Sequence, residues 1–315
     1  MLAQILLTFY IRNVDVYEAS GFFDWVLNFH GHLGIIMKLY KRIKMGWMGL
    51  LPALAITLGL AAAPLAQAGI SGTKHNLSTS GTASNKMTAP AIAAAEICVF
   101  CHTPHGASTT NKAPLWNKGS TGSTYTTYSS ASSSTIDGTV SLSTSVSLGC
   151  LSCHDGAQAM DNMINAPGSG GYNAAGARLA GGAWSASVGA TGVMPTGIAM
   201  LGSDLSNDHP VAIQYCGGGL TGATTTVSGT CGDTDFKNGS TDVKTKNVGG
   251  TQVFWVDTGT PASRQKTDLP LYANSGVTGP TVECATCHDP HSDAQLTFLR
   301  ISNAASAVCL TCHVK

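Results

Sequence analysis

Charge is scarce in this sequence. Lys, Arg, Asp and Glu make up 11% of its 315 residues, less than half of the roughly 25% usual in globular proteins. The 17 basic and 17 acidic side chains balance to a formal net charge of +0, so no basic surplus is available to hold nucleic acid. A surface this poor in charge, and rich in Gly, Ser, Thr and Ala, suits a chain that works outside the cell or buries much of its surface against partners. Regular hydrophobic periodicity is sparse too. With 37 glycines interrupting the chain, most of it is expected to be irregular rather than helix or strand.

Cysteine, by contrast, is patterned. Of the 10 cysteines, all but Cys216 and Cys231 fall in four copies of Cys-x-x-Cys-His. The copies are Cys98-Val99-Phe100-Cys101-His102, Cys150-Leu151-Ser152-Cys153-His154, Cys284-Ala285-Thr286-Cys287-His288 and Cys309-Leu310-Thr311-Cys312-His313. Each reads as an attachment site for haem c, four covalent haems in all. The paired thiols add to the porphyrin vinyl groups, and the adjacent histidine becomes the proximal iron ligand. Random spacing of this composition would give only about 0.01 such motifs. Zinc sites and thioredoxin-like pairs also use Cys-x-x-Cys, but neither explains a histidine after every pair. Haem also accounts for the sparse periodicity, because its flat apolar faces supply burial that helices and strands would otherwise provide.

The remaining histidines extend the pattern. His30 and His32 lie in the N-terminal segment, which leaves His75, His105, His209 and His291 as distal ligands for four irons. A missing histidine has a substitute in Met87, Met160, Met163, Met194 or Met200, whose thioether raises the potential of the iron it binds. Two motifs continue as His102-Thr103-Pro104-His105 and His288-Asp289-Pro290-His291. The second histidine cannot reach the far side of the same iron. That needs Cα atoms about 12 Å apart, whereas three residues span roughly 10.5 Å at full extension. His105 and His291 are therefore each expected on a different haem, with the prolines stiffening the hand-over. Haems locked side by side in this way pass electrons. Four spare histidines also close the open iron position that a haem reductase needs, and the sequence has neither a Cys-x-x-Cys-Lys variant nor a separate acid–base set.

The N-terminus reads as export machinery. Lys38, Lys41, Arg42 and Lys44 precede the uncharged stretch Met45 to Ala63, and Ala66-Gln67-Ala68 offers a cleavage site before Gly69. Residues 1–36 are expected to be a mis-assigned upstream start, 37–68 a signal peptide and 69–315 a single tetrahaem domain. No cysteine follows the apolar stretch to anchor a lipid. Cys216 and Cys231 lie outside the motifs and are expected to form a disulfide in an oxidising compartment. The expected fold class is a multihaem cytochrome c, mostly loop with a few short helices and minor β around a haem-stack core. Ala89 to Cys101 and Ser302 to His313 are the helix candidates, and Val140 to Leu148 and Thr251 to Val256 the strand candidates. Gly156 to Val282 is Gly-rich, lacks haem motifs and, if the ligand count holds, is expected to fold back so that His209 meets an iron.

The chain resembles the small multihaem c-type cytochromes of metal-respiring microbes. It is most similar to the tetrahaem outer-surface cytochromes that polymerise into haem filaments, the OmcE-like nanowires. The stretches that carry the resemblance are Gly72 to Leu77, Cys98 to Gly106, Ala113-Pro114-Leu115-Trp116-Asn117, Asp204 to Pro210, Cys284 to His291 and Cys309 to His313. It implies an electron-transfer protein rather than an enzyme, located at the outer cell surface, with other c-type cytochromes and external electron acceptors as partners. It also implies a homopolymer in which one distal histidine, His75 by its place near the mature terminus, ligates a haem of the neighbouring subunit. The alternative is a monomeric periplasmic carrier using the same ligands internally.

Overall fold

Glycine and proline punctuate the chain, and a short-stranded, loop-rich architecture follows. The computed structural model describes residues 69–90, 96–168, 170–222, 225–259 and 264–314. The upstream segment and leader expected over 1–36 and 37–68 lie outside the described residues. Gln67–Lys315 forms one unit. Among the described residues no helix is long and apolar enough to cross a membrane.

Strands β1 (Met87–Ala89), β2 (Asn162–Asn165), β3 (Tyr172–Arg178) and β4 (Ala183–Trp184) make two small antiparallel sheets, β1 with β4 and β2 with β3. A five-stranded sheet follows from β5 (Ile213–Gln214), β8 (Val243–Val248), β9 (Thr251–Val256), β10 (Leu269–Ala273) and β11 (Pro280–Val282), in the order β5-β11-β10-β9-β8. The hairpin of β6 (Leu220–Gly222) and β7 (Val227–Gly229) lies between them in the chain. The strand expected over Thr251 to Val256 is β9. Its partner β8 alternates in Val-Lys-Thr-Lys-Asn-Val, and Gly249 and Gly250 join them with φ of 58° and 86°. Positive φ at both central residues is what a tight hairpin turn with right-handed strand twist requires. Gly156 to Val282 is thus the most strand-rich part of the chain, not an irregular one. Disulfide Cys216–Cys231 closes a 15-residue loop beside β6 and β7, worth about 3 kcal/mol by the chain-entropy model.

Two local expectations fail for identifiable reasons. Val140 to Leu148 is not a strand: Val140 makes one bridge to Ile213, Leu142–Thr144 is a 3-10 turn, and helix α1 runs Ser147–His154. The hydroxyls that gave the alternating pattern are spent on Glu283, which is almost fully buried. Ser145 Oγ donates to its carboxylate, and Ser147 Oγ donates to Oε2 at 2.5 Å. Ala89 to Cys101 is not one helix either. Met87–Ala89 is β1, paired to β4, and among the described residues only Cys98–Phe100 winds as a 3-10 turn. The C-terminal helix is shorter than expected: a 3-10 turn at Ala304–Ser306 leads into α3 (Ala307–Cys312), and Ala305 and Ser306, at φ of 53° and 61°, break the run.

Hydrophobic burial is divided among small clusters, each built around a motif. Leu77, Met87, Phe100, Met160, Met163, Leu179, Trp184 and Val188 pack together against Cys101 and Cys153. A second cluster covers the five-stranded sheet, with Val243, Phe254, Val256, Leu269 and Leu271 inside it and Cys312 against it. A third, smaller one holds Leu151 of the second motif with Leu142, Leu205 and Ala212.

Candidate haem-binding site

The five-stranded sheet delivers the third motif directly. β11 ends at Val282, and Glu283 caps helix α2 (Cys284–Cys287) by a reciprocal box with Thr286. Glu283 N donates to Thr286 Oγ1 at 2.9 Å, and boxes of this kind satisfy the helix's otherwise unpaired amides. Ser147 Oγ, besides donating to Glu283, accepts from Cys284 N at 3.0 Å. One buried carboxylate thus ties the start of α1 to the start of α2. As a result the Cys150 and Cys284 thiols lie within hydrogen-bonding reach of each other.

The first motif is set against the second by Trp116 and Asn117. Trp116 Nε1 donates to Ser152 Oγ at 3.1 Å, inside the second motif, and its ring meets His102 edge-on at 5.5 Å. Asn117 N donates to Cys101 O at 2.8 Å, and its side chain donates to Val99 O at 2.7 Å. Burial pushes the Cys101 thiol up to about 12, helped by Cys153 beside it. Burial likewise pushes Cys312 up to about 12, with Cys287 as its neighbour. The motifs therefore follow one another in space as in sequence: Cys101 by Cys153, Cys150 by Cys284, Cys287 by Cys312.

The imidazoles carry the strongest geometric signal. An iron–imidazole bond of about 2.0 Å, with the ring centre roughly 1.1 Å behind the nitrogen, sets two rings on opposite sides of one iron about 6.2 Å apart. His102 and His291 have ring centres 6.1 Å apart with planes 19° from parallel. His75 and His154 are 6.2 Å apart with planes at 89°. Each pair joins one motif histidine to one spare histidine, so the residues fit bis-histidine iron at these two places. His291 faces His102 and not His288 of its own motif.

A second regularity concerns Nδ1. In His75, His102, His154, His209 and His288 this atom bonds a backbone carbonyl: Pro290 at 3.0 Å, Pro114 at 2.7 Å, Ala199 at 2.7 Å, Pro210 at 2.9 Å and Thr297 at 2.7 Å. A carbonyl accepts only, so each ring carries its proton on Nδ1 and leaves Nε2 free as a ligand, the arrangement typical of metal-bound histidine. Burial lowers the pKa of His75 and His154, which favours the neutral ring that an iron ligand must present. The carbonyls come from tight loops. Leu115, Thr297 and Phe298 have φ of 51°, 57° and 62°, a region that costs a non-glycine residue about 1–3 kcal/mol and concentrates at functional sites.

The segment Asp289-Pro290-His291 serves both pairs. His291 supplies the ring opposite His102, and Pro290 O holds the ring opposite His154. Phe298 stacks on His75 at 4.3 Å, and Asp289 Oδ1 lies 3.4 Å from His291 Nδ1.

The remaining site residues stand as follows. His75, the ligand implied to be lent to a neighbour, lies beside His154 of its own chain, where the Pro290 carbonyl and the Phe298 ring hold it. Met87, Met160 and Met163 are buried in the first apolar cluster and Met194 packs against it, so these thioethers are spent on packing. His313 packs on Phe236 at 4.2 Å. His105 and His209 are exposed and belong to neither pair. Sequence reasoning missed Glu283, Lys118 and the five carbonyls; Trp116 and Asn117 stood out only as part of the resemblance. Among the described residues no group of three or more His, Cys, Asp or Glu is arranged to hold a bare metal ion.

Comparison with known proteins bears on the same residues. A family model, the doubled CXXCH motif, matches residues 278–315, which contain the third and fourth motifs. The match indicates covalently bound c-type haem and suggests a multihaem c-type cytochrome that carries electrons. No curated protein matches the chain.

Proposed function

We propose that this chain is an exported electron-transfer protein that holds four bis-histidine c-type haems in one closely spaced row, and that copies join end to end into an extracellular filament. The observation that carries the haem assignment is the pair of imidazole separations, 6.1 and 6.2 Å, each between a motif histidine and a spare one. Cys98 and Cys101, Cys150 and Cys153, Cys284 and Cys287, and Cys309 and Cys312 are the attachment points. His102, His154, His288 and His313 are the proximal ligands, and His75, His105, His209 and His291 the distal ones. When bound there, haem iron exchanges one electron at a time and has no vacant position for a substrate. The protein's own part is to hold the rings. The backbone carbonyls fix each tautomer, and Glu283 and Trp116 fix the spacing between motifs.

The filament rests on the resemblance and on the low surface charge. With His75 paired internally, a ligand lent between copies falls to His105 or His209, both exposed. Such a bond at each contact offsets part of the entropy lost on association. The internal seat of His75 also favours a second reading, a monomeric periplasmic carrier. Intact mass and size separate these readings. The expected result is apoprotein beginning near Gly69 plus four haems, in particles that pellet and appear as filaments by electron microscopy. A protomer-sized species with four six-coordinate haems leaves the carrier reading, and a mass with three or fewer haems overturns the tetrahaem assignment.

A further inference from the structure

Lys118 is completely buried, a rare place for a lysine without a counter-ion. Its Nζ donates to Met160 O at 2.6 Å and to Asn162 O at 3.1 Å. The carboxylate between those residues, Asp161, faces elsewhere: it accepts from Arg178 Nε at 3.1 Å and from Trp184 Nε1 at 3.1 Å. Among the described residues no ion pair includes Lys118. Two carbonyl dipoles hold the ammonium in place without cancelling its charge.

The position is tied to the first two motifs. Asn117, the preceding residue, is bonded to Cys101 O and Val99 O. Met160, one of the two acceptors, belongs to the cluster against which Cys101 and Cys153 pack. The lysine's charge reaches Cys101 itself. Among the described residues no carboxylate pairs with Lys118, so the protein itself leaves its charge uncancelled beside the first motif.

Resting on the haem reading above, we propose that Lys118 is a fixed internal cation that raises the reduction potential of the haem at Cys98, Cys101 and His102, making that iron the preferred resting place of an electron in the row. Reduction there takes one electron from an adjacent ferrous iron, which becomes ferric, and moves no proton. The net charge at the site falls by one, and a positive charge close by in a poorly screened interior favours the product. The effect is strongest at the first motif, whose backbone Asn117 grips, and weaker at the second.

The test uses the holoprotein as wild type, Lys118→Met and Lys118→Gln, the glutamine keeping a donor for the two carbonyls. Each is titrated against applied potential with electron paramagnetic resonance at every step. The near-parallel His102–His291 pair gives a rhombic ferric signal, and the perpendicular His75–His154 pair a highly anisotropic one, so the two irons are told apart. In the wild type the rhombic signal should be lost first on reduction. In both variants its reduced-to-oxidised ratio at a fixed potential should fall about tenfold, near 59 mV for one electron, with low-spin spectra unchanged. An unmoved rhombic titration in variants that keep their haems overturns the proposal, as does an equal shift of every haem. Should neither variant assemble, the wild-type order decides, and loss of that signal in any place but first overturns it. Failure of the haem reading itself looks different: wild-type protein without covalent haem, or with no rhombic low-spin signal.

Discussion

Replacing His291 with alanine is expected to turn the iron held by Cys98, Cys101 and His102 from low-spin to high-spin and to open it to carbon monoxide. The wild type should bind none at this iron and the variant one per chain. The reason is geometric. His291 is the ring beside His102, 6.1 Å away centre to centre, and Met87, Met160 and Met163 are committed to the apolar core rather than free to replace it. Its neighbours Asp289 and Pro290 stay in place, held by the Asp289 N to Phe298 O bond of 2.8 Å. Covalent haem content should therefore be unchanged, since the thioethers do not depend on the distal ring. Visible spectra with and without carbon monoxide check the outcome, and a spectrum that opens the haem at His288 instead would contradict the hand-over between motifs. His291→Met, by contrast, should keep the iron six-coordinate and raise its potential.

His75→Ala should have an equally large effect at the second motif. His75 is fixed by the Pro290 carbonyl on one side and by the Phe298 ring on the other, and it faces His154 at 6.2 Å. Its removal should leave the iron at Cys150, Cys153 and His154 five-coordinate in a single isolated chain, with no second copy involved. The perpendicular-plane resonance signal should vanish and a high-spin one replace it. The alternative is equally readable. If isolated wild-type protomers already show an open iron at His154, His75 is donated from elsewhere and the internal pairing is wrong.

These two assignments show which parts of the molecule a sequence discloses. A Cys-x-x-Cys-His motif is written in five adjacent residues, so the four motifs were legible at once, and the reach limit on His-x-Pro-His is consistent with the His291 ring lying 6.1 Å from that of His102. The strand at Thr251 to Val256 was legible from its run of β-branched and aromatic residues, Val253-Phe254-Trp255-Val256. Long-range polar partnership was not. Ser145 and Ser147 look like the outward face of a strand until Glu283, 138 and 136 residues away, claims both hydroxyls. The carbonyls that hold the imidazoles were illegible for a simpler reason. Every residue has one, and only the backbone path at Leu115 or Thr297 tells which points at a ring. The resemblance implied that His75 is lent to a neighbour; within this chain its ring is held by Pro290, 215 residues on in sequence, a contact that no local pattern announces. Nothing in the residues around Lys118 announces its burial.

The most direct measurement of the central claim is the low-temperature resonance spectrum of the fully oxidised wild-type protein. All iron should be low-spin. A rhombic signal should arise from the near-parallel His102–His291 pair, and a highly anisotropic signal from the perpendicular His75–His154 pair. A substantial high-spin fraction in native protein, or a low-spin spectrum with no rhombic component, would contradict the bis-histidine pairing on which the rest depends.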